Sequence, residues 1–141
     1  MHKLDPTKFT IEIDRLPNVQ ELKALFLQTT WAKDRNEKGI GVLIENLTVY
    51  VSIRDGNELI GFGRATTDRI YRALIDDVIV DEHYRKAGIG KMIMSSLLEQ
   101  LNTVEEIFLN TREGLKTYYE QFGFEKDKIV NMVKRQEQKE A

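Results

Sequence analysis

Cysteine is absent from this 141-residue chain, which excludes a disulfide framework, a thiol nucleophile and a thiolate metal site. Histidine is scarce: His2 and His83 have no partner at ligand spacing, so no metal is expected. Membrane-length apolar runs are missing too, and the opening Met1-His-Lys-Leu-Asp-Pro lacks the apolar stretch of a signal peptide. A cytoplasmic protein with no membrane partner is the expectation. Neither sign of charge dominates. With 21 Lys and Arg against 23 Asp and Glu, the net charge is −2, without the basic surplus of a nucleic-acid binder, so no nucleic-acid partner is expected. Mild acidity suits a cationic substrate. Repeats, linkers and low-complexity stretches are absent as well, and the length fits one domain over residues 1–141, large enough to bury a core without staples.

What is present is hydrophobic periodicity. Phe9, Ile11 and Ile13 alternate with polar residues and predict a first strand. Pro17-Asn18 opens a helix: Asn18 is placed to cap it, Glu21 holds the capping-box position, and Val19, Leu22, Leu25 and Phe26 form its inner stripe. A short second helix is expected over Val42 to Asn46. Val49, Val51 and Ile53 predict a strand, Asp55-Gly56 a hairpin turn, and Leu59 to Thr66 its return. Arg72 to Val80 reads as a strand apolar on both faces, hence central in its sheet. After a longer helix come a short parallel strand at Glu106 to Asn110, a helix through Tyr119, and a final strand at Ile129 to Lys134. Gln136 to Ala141 is expected to fray. The order β-α-α-β-β-β-α-β-α-β is α/β, a single-domain mixed sheet flanked by helices, with a core over about residues 9–133.

The most informative stretch runs from Leu74-Ile-Asp-Asp-Val-Ile-Val80 into Arg85-Lys-Ala-Gly-Ile-Gly90. Ile89, Met92, Ile93, Ser96, Leu97 and Leu101 recur at helical spacing, so a helix begins near Gly88. The first N–H groups of a helix lack intrahelical acceptors, and its dipole is positive at that end. Gly88 and Gly90 admit an anion close to the backbone, while Arg85, Lys86 and Lys91 supply charge. A diphosphate is the natural guest. The glycine spacing is not that of a P-loop, and Ile93 stands where a dinucleotide fold needs its third glycine.

This Arg-x-x-Gly-x-Gly loop after a Val-x-Val strand end resembles the GNAT superfamily of acetyl-CoA-dependent N-acyltransferases. A second segment, Leu115-Lys-Thr-Tyr-Tyr-Glu-Gln-Phe-Gly-Phe124, is similar to the family's Phe-Tyr-x-x-x-Gly-Phe, with Tyr118 in place of the phenylalanine and Gly123 as a left-handed helix cap. The resemblance implies acetyl-CoA as cosubstrate and no metal. It places the CoA diphosphate against Arg85, Lys86, Ala87, Gly88, Ile89, Gly90 and Lys91, and pantetheine along the backbone of Val78, Ile79 and Val80. An N–H there would polarise the acetyl carbonyl. The family often has glycine at the position of Lys86 and a basic residue at that of Ala87, so one charge is shifted and one flexible position lost. The family's CoA-contacting asparagine, seven residues before the tyrosine, is Arg112 here, with Asn110 two residues earlier; the resemblance leaves the contact to either of them or to neither, and Asn110 is the one assigned.

For catalysis the resemblance implies Tyr119 as the acid that protonates the departing thiolate. A phenol ordinarily titrates near ~10, close to an alkyl thiol, so the transfer is nearly matched. Tyr118 is its rival, and aromatic packing is the commoner use of such a pair. Asp76 and Asp77 lie on one strand, where alternation sends them to opposite faces. Asp77 is the candidate general base, because an unpaired carboxylate in an apolar setting takes up a proton more readily. The alternative is a structural Asp paired with Arg64, Arg69 or Arg72. Trp31 and Arg35 are candidates for the acceptor wall, against a packing role for a lone tryptophan. The reading is an N-acetyltransferase acting on a primary amine of a small molecule, amino acid, polyamine or protein by direct attack in a ternary complex. The alternative is a CoA-binding regulatory module whose chemistry has lapsed. A homodimer is left open.

Overall fold

A computed structural model describes residues 8–138; the opening peptide that bears on a signal sequence, and the last three residues of the expected fraying tail, lie outside that range. Its elements are β1 (Phe9–Glu12), α1 (Val19–Phe26), α2 (Glu37–Glu45), β2 (Val49–Asp55), β3 (Glu58–Thr67), β4 (Arg72–Val80), α3 (Ile89–Gln100), β5 (Glu106–Leu109) and α4 (Lys116–Glu120). The chain divides into two compact units, one ending at Asn110 and one beginning at Thr111.

The first unit is a mixed sheet in the order β1-β2-β3-β4-β5, antiparallel except for the parallel pair of β4 with β5. A crossover through α3 makes that parallel pair possible. Leu22, Leu25 and Phe26 of α1, Ala32, and Ile40 and Ile44 of α2 form a buried cluster with Tyr50, Leu59, Phe62 and Ile79. Helix α3 packs on β2, β3 and β4, burying Ile89, Ile93, Met94 and Leu97. Two glycines set how closely it approaches. A Cβ on Gly61 would come within 2.9 Å of the Ile89 side chain, and one on Gly63 within 2.6 Å of Ile93. Any larger residue there would push the helix off the sheet.

Helix α1 starts as its sequence dictates. Asn18 caps the Glu21 N–H, and the Glu21 carboxylate receives the Asn18 N–H at 2.8 Å. The same carboxylate reaches Arg54, which is 1% exposed near the end of β2 and also pairs with Glu12 and the Asn57 carbonyl. A buried guanidinium is tolerated only with its donors occupied in this way. Its hydrogen bonds hold the Glu21 carboxyl below its ordinary range, against the opposing pull of burial.

Several expectations are corrected. Helix α2 begins at Glu37, capped by Asn36, rather than at Val42, because the Asn36 cap overrides the weak helix preference of Gly39 and Gly41. The hairpin turn is Gly56-Asn57, since Asp55 still pairs with Glu58; Gly56 has φ +60°. Strand β3, and not β4, is central, and Leu74 and Asp76 of β4 are exposed. Ile11 and Ile13 are half-exposed and line a groove of about 620 Å³ with Met92, Ser95 and Gln100 of α3. The final strand does not form: residues 129–134 have no regular structure, and Ile129, Val130, Met132 and Val133 are exposed. A strand gains its hydrogen bonds and buried face from a neighbour, and this segment pairs with none among the described residues. No helix among the described residues is long and apolar enough to cross a membrane.

Candidate active site

Strand β4 is paired on both edges only in its first half. Its parallel register with β5 runs from Arg72 opposite Glu106 to Ile75 opposite Leu109. Beyond that point β4 continues for five residues to Val80. On the other edge Phe62 faces Ile79 and Arg64 faces Asp76, so Asp77 and Val78 together stand against Gly63 alone. That is a β-bulge, and Asp77 takes the left-handed conformation at φ +53°. The extra residue re-aims the strand where pairing with β5 stops. Along Val78, Ile79 and Val80 the edge away from β3 therefore has backbone groups free for an extended ligand, among the described residues.

The bulge also changes where the two aspartates point. Strict alternation would separate them, but both reach Arg64: Asp77 Oδ2 accepts from Nε at 2.6 Å, and Asp76 lies 3.7 Å from Nη2. Asp77 also accepts from Arg35 Nη1 at 3.0 Å, and its side chain is wholly screened from solvent. Its other oxygen, Oδ1, has no hydrogen-bond partner among the described residues. Of the arginines weighed as structural partners, Arg64 fills that role, and Arg35 joins it, so Asp77 is not the unpaired carboxylate that its reading as general base assumes. Arg69 instead donates to the Thr48 carbonyl, and Arg72 pairs with Glu105 and Glu106.

Arg35 brings the acceptor-wall candidates to the same place. Its guanidinium lies 4.8 Å from the centroid of Phe26 and 5.8 Å from that of Trp31. Trp31 is 55% exposed, too open for a core tryptophan. Sequence reading did not bring Phe26 to this place because its helical spacing marks it as core, which it also is.

The loop after β4 is held at several points. Asp81 donates its N–H to the Ile60 carbonyl and caps the turn Glu82–Tyr84 through the His83 N–H. Gln28, at the end of α1, donates to Asp81 and accepts from the Glu82 N–H. Tyr84 donates to Asp55 at 2.8 Å, and that bond, with burial, pushes its phenol up to about 12. No sequence signal marked Gln28 or Tyr84.

The cradle itself follows. Lys86 has φ +66° and Gly88 φ +83°. Lys86 thus adopts the left-handed backbone that glycine would adopt without strain. Helix α3 starts at Ile89 with Gly88 as its N-cap and no side-chain cap. Its first intrahelical bond runs from the Met92 N–H to the Gly88 carbonyl, which leaves the N–H groups of Ile89, Gly90 and Lys91 without acceptors inside the helix. Space beside Gly88 is open: a Cβ there would meet nothing within 4 Å. Arg85, Lys86 and Lys91 are exposed and form no ion pair among the described residues. Ala87 is half-buried between them. Uncapped N–H groups, open space and free cations together fit a diphosphate. Asn110, exposed, follows the end of β5.

The second unit holds α4. Gly123 has φ +92°, left-handed as expected, two residues beyond the C-cap Gln121, and its N–H donates to the Glu120 carbonyl. Tyr118 stacks edge-on against Tyr119 at 5.1 Å and Phe122 at 5.4 Å, and Tyr119 against Phe124 at 6.4 Å. Burial raises both phenols above their ordinary value, with Tyr118 adding to the effect on Tyr119.

Known proteins resemble this chain in sequence and in architecture. The profile of the GNAT acetyltransferase domain matches residues 45–126. Over 116 residues the chain is 32% identical to the uncharacterised N-acetyltransferase ycf52 of Pyropia yezoensis, a match covering 78% of this chain and 66% of that protein. The chain spans just under two thirds of the length of the curated relatives it matches, at 66%, 66% and 62% for three ycf52 proteins. Its fold is that of a GNAT-family acetyltransferase from Streptococcus pneumoniae, with TM-score 0.76 at 21% identity over 91% of this chain and 99% of the other. It is also that of an aminoglycoside N-acetyltransferase crystallised with CoA, with TM-score 0.70 at 15% identity over 94% and 99%. By the profile match over more than half its length, the chain belongs to the GNAT acetyltransferase family.

Proposed function

We propose that the protein transfers acetyl from acetyl-CoA to a primary amine by direct attack. The observation that carries this reading is the half-open β4, whose free edge leads into the uncapped N-terminus of α3. An extended chain ending in a diphosphate is the ligand that both features suit together. Ile89, Gly90 and Lys91 donate backbone N–H groups to the diphosphate, and Arg85 and Lys86 add charge. Val78, Ile79 and Val80 pair with pantetheine, and an N–H of this edge steadies the negative charge that develops on the acetyl oxygen. Asn110 adds a contact to CoA.

The amine nitrogen attacks the acetyl carbon, the C–S bond breaks, and the proton lost from nitrogen goes to Asp77 Oδ1, the oxygen that neither arginine engages. Tyr119 gives its proton to the departing sulfur; its hydroxyl, raised by burial, stays protonated at neutral pH. Trp31 and Arg35 line the acceptor side. With no cysteine in the chain, an acetyl-cysteine intermediate is excluded.

The test is thiol release from acetyl-CoA against a panel of amines and peptides. Amine-dependent release is expected. If CoA raises the melting temperature while no amine releases thiol, the chain is a CoA-binding module without chemistry.

A further inference from the structure

We infer that Asp77, Phe26 and Trp31 form a cation cage for the acceptor's ammonium group, and that Arg35 is a built-in plug which the acceptor displaces. The inference rests on the acetyl-transfer reading only for the word acceptor. Asp77 is a carboxylate sealed from solvent, with one oxygen shared by two arginines and the other without a partner. An unpaired buried acceptor is costly, and its persistence points to a donor that arrives from outside.

Of the two arginines, Arg64 belongs to the sheet, at a paired position of β3. Arg35 does not. It sits after α1, with about a third of its side chain exposed, more than Arg64, and pairs with the fully buried Asp77. Its guanidinium is held by the ring of Phe26, the ring of Trp31 and the Asp77 carboxylate. Two aromatic rings and one carboxylate make a receptor for a cation. Asp76 and Asp77 offset Arg35 and Arg64 while the plug is in, and its withdrawal leaves net negative charge. A primary ammonium meets that charge, and Asp77 Oδ1 is then available to its N–H. The group that fits is an alkylammonium, not a neutral or anionic amine.

Trp31, the single tryptophan, reports on the cage through its fluorescence. The probes are 1,4-diaminobutane and butane-1,4-diol, which match in shape and differ in charge. With the wild-type chain, the diamine should give a saturable change and the diol none. In Arg35→Gln the diamine midpoint should fall roughly tenfold, the shift expected when a plug held by two cation–π contacts and one partly exposed ion pair is removed. Arg35→Lys should restore the wild-type midpoint, and Lys33→Gln, which removes an exposed charge from the same loop, should leave it unchanged. An unchanged or higher midpoint in Arg35→Gln overturns the plug, because an arginine that merely braces the loop would weaken binding when lost. A diol response equal to the diamine's overturns the cage. Should Arg35→Gln fail to fold, the wild-type comparison of diamine and diol still decides. Thiol release, measured separately, keeps the two readings apart: release without a fluorescence response sinks the cage alone, and a response without release sinks acetyl transfer alone.

Discussion

The cradle loop and the α4 segment present equally clear sequence motifs, yet they are held in different ways. The loop between β4 and α3 is fixed by bonds to three other parts of the chain: Asp81 to Ile60 of β3, Gln28 beyond α1, and Tyr84 to Asp55 of β2. Its start is buried at Asp81 and its end at Ile89. In the second unit no described residue is buried, and α4 is organised by the rings of Tyr118, Tyr119, Phe122 and Phe124 against one another. The difference matches what the proposed reaction asks of each part. A diphosphate site built of backbone needs its φ and ψ angles imposed from outside, because no side chain defines it. An acid needs one hydroxyl and a local setting that keeps its proton.

The largest effect should come from that hydroxyl. Tyr119→Phe keeps the ring cluster and removes only the acid, so turnover should fall by about 10²–10⁴-fold in both kcat and kcat/KM with acetyl-CoA affinity retained. Tyr118→Phe is the control and should cost little. The reverse pattern in steady-state kinetics would move the acid by one residue.

The cradle should fail in the opposite way, in binding. Gly88→Val places a branched side chain at φ +83°, which costs roughly 1–2 kcal/mol of stability, and fills the open space proposed for the anion. Titration calorimetry should show acetyl-CoA affinity lost while melting stays cooperative. Retained affinity in the folded variant would remove the diphosphate from this loop.

A smaller effect separates the core of the first unit from both motifs. Glu21 titrates below its unfolded value of 4.5, chiefly through its hydrogen bonds to Arg54. A lowered carboxylate contributes stability that is complete above the unfolded value and disappears as pH falls through the folded one. The wild-type melting temperature should therefore drop more steeply below about pH 4.5 than that of Glu21→Gln. Parallel acid limbs in thermal scans would deny the linkage.

Lys86→Gly should have the smallest effect. Relief of left-handed strain is partly offset by the greater freedom of glycine in the unfolded chain, so stability should rise by about 0.5 kcal/mol. Loss of one exposed charge should make CoA binding slightly weaker and less salt-sensitive. A decrease in stability would mean that the lysine side chain braces the loop.

These contrasts also explain what was legible in the sequence. Capping at Asn18, the start of α3 and the left-handed Gly123 are local events, fixed by a few adjacent residues, and they stand where the sequence puts them. The bulge at Asp77 and Val78 was invisible because strand reading assumes a period of two, and one extra residue breaks it. The clamp of Arg35 and Arg64 on Asp77 joins residues 42 and 13 positions apart, which no motif encodes. Ile129 to Lys134 has strand composition, but a strand is a property of two segments, and this one has no partner among the described residues. Gly61 and Gly63 look like weak points of β3 until the approach of α3 accounts for both.

The double use of Glu21 has a consequence for the order in which the chain assembles. Its backbone-facing bond, to the Asn18 N–H, can form as soon as the first turn of α1 does. Its bonds to Arg54 require β2, 33 residues away, to be in place. The helix can therefore nucleate early but is locked only when the hairpin arrives. Glu21→Gln, which keeps the capping geometry and loses the charge, should leave the folding rate nearly unchanged and speed unfolding.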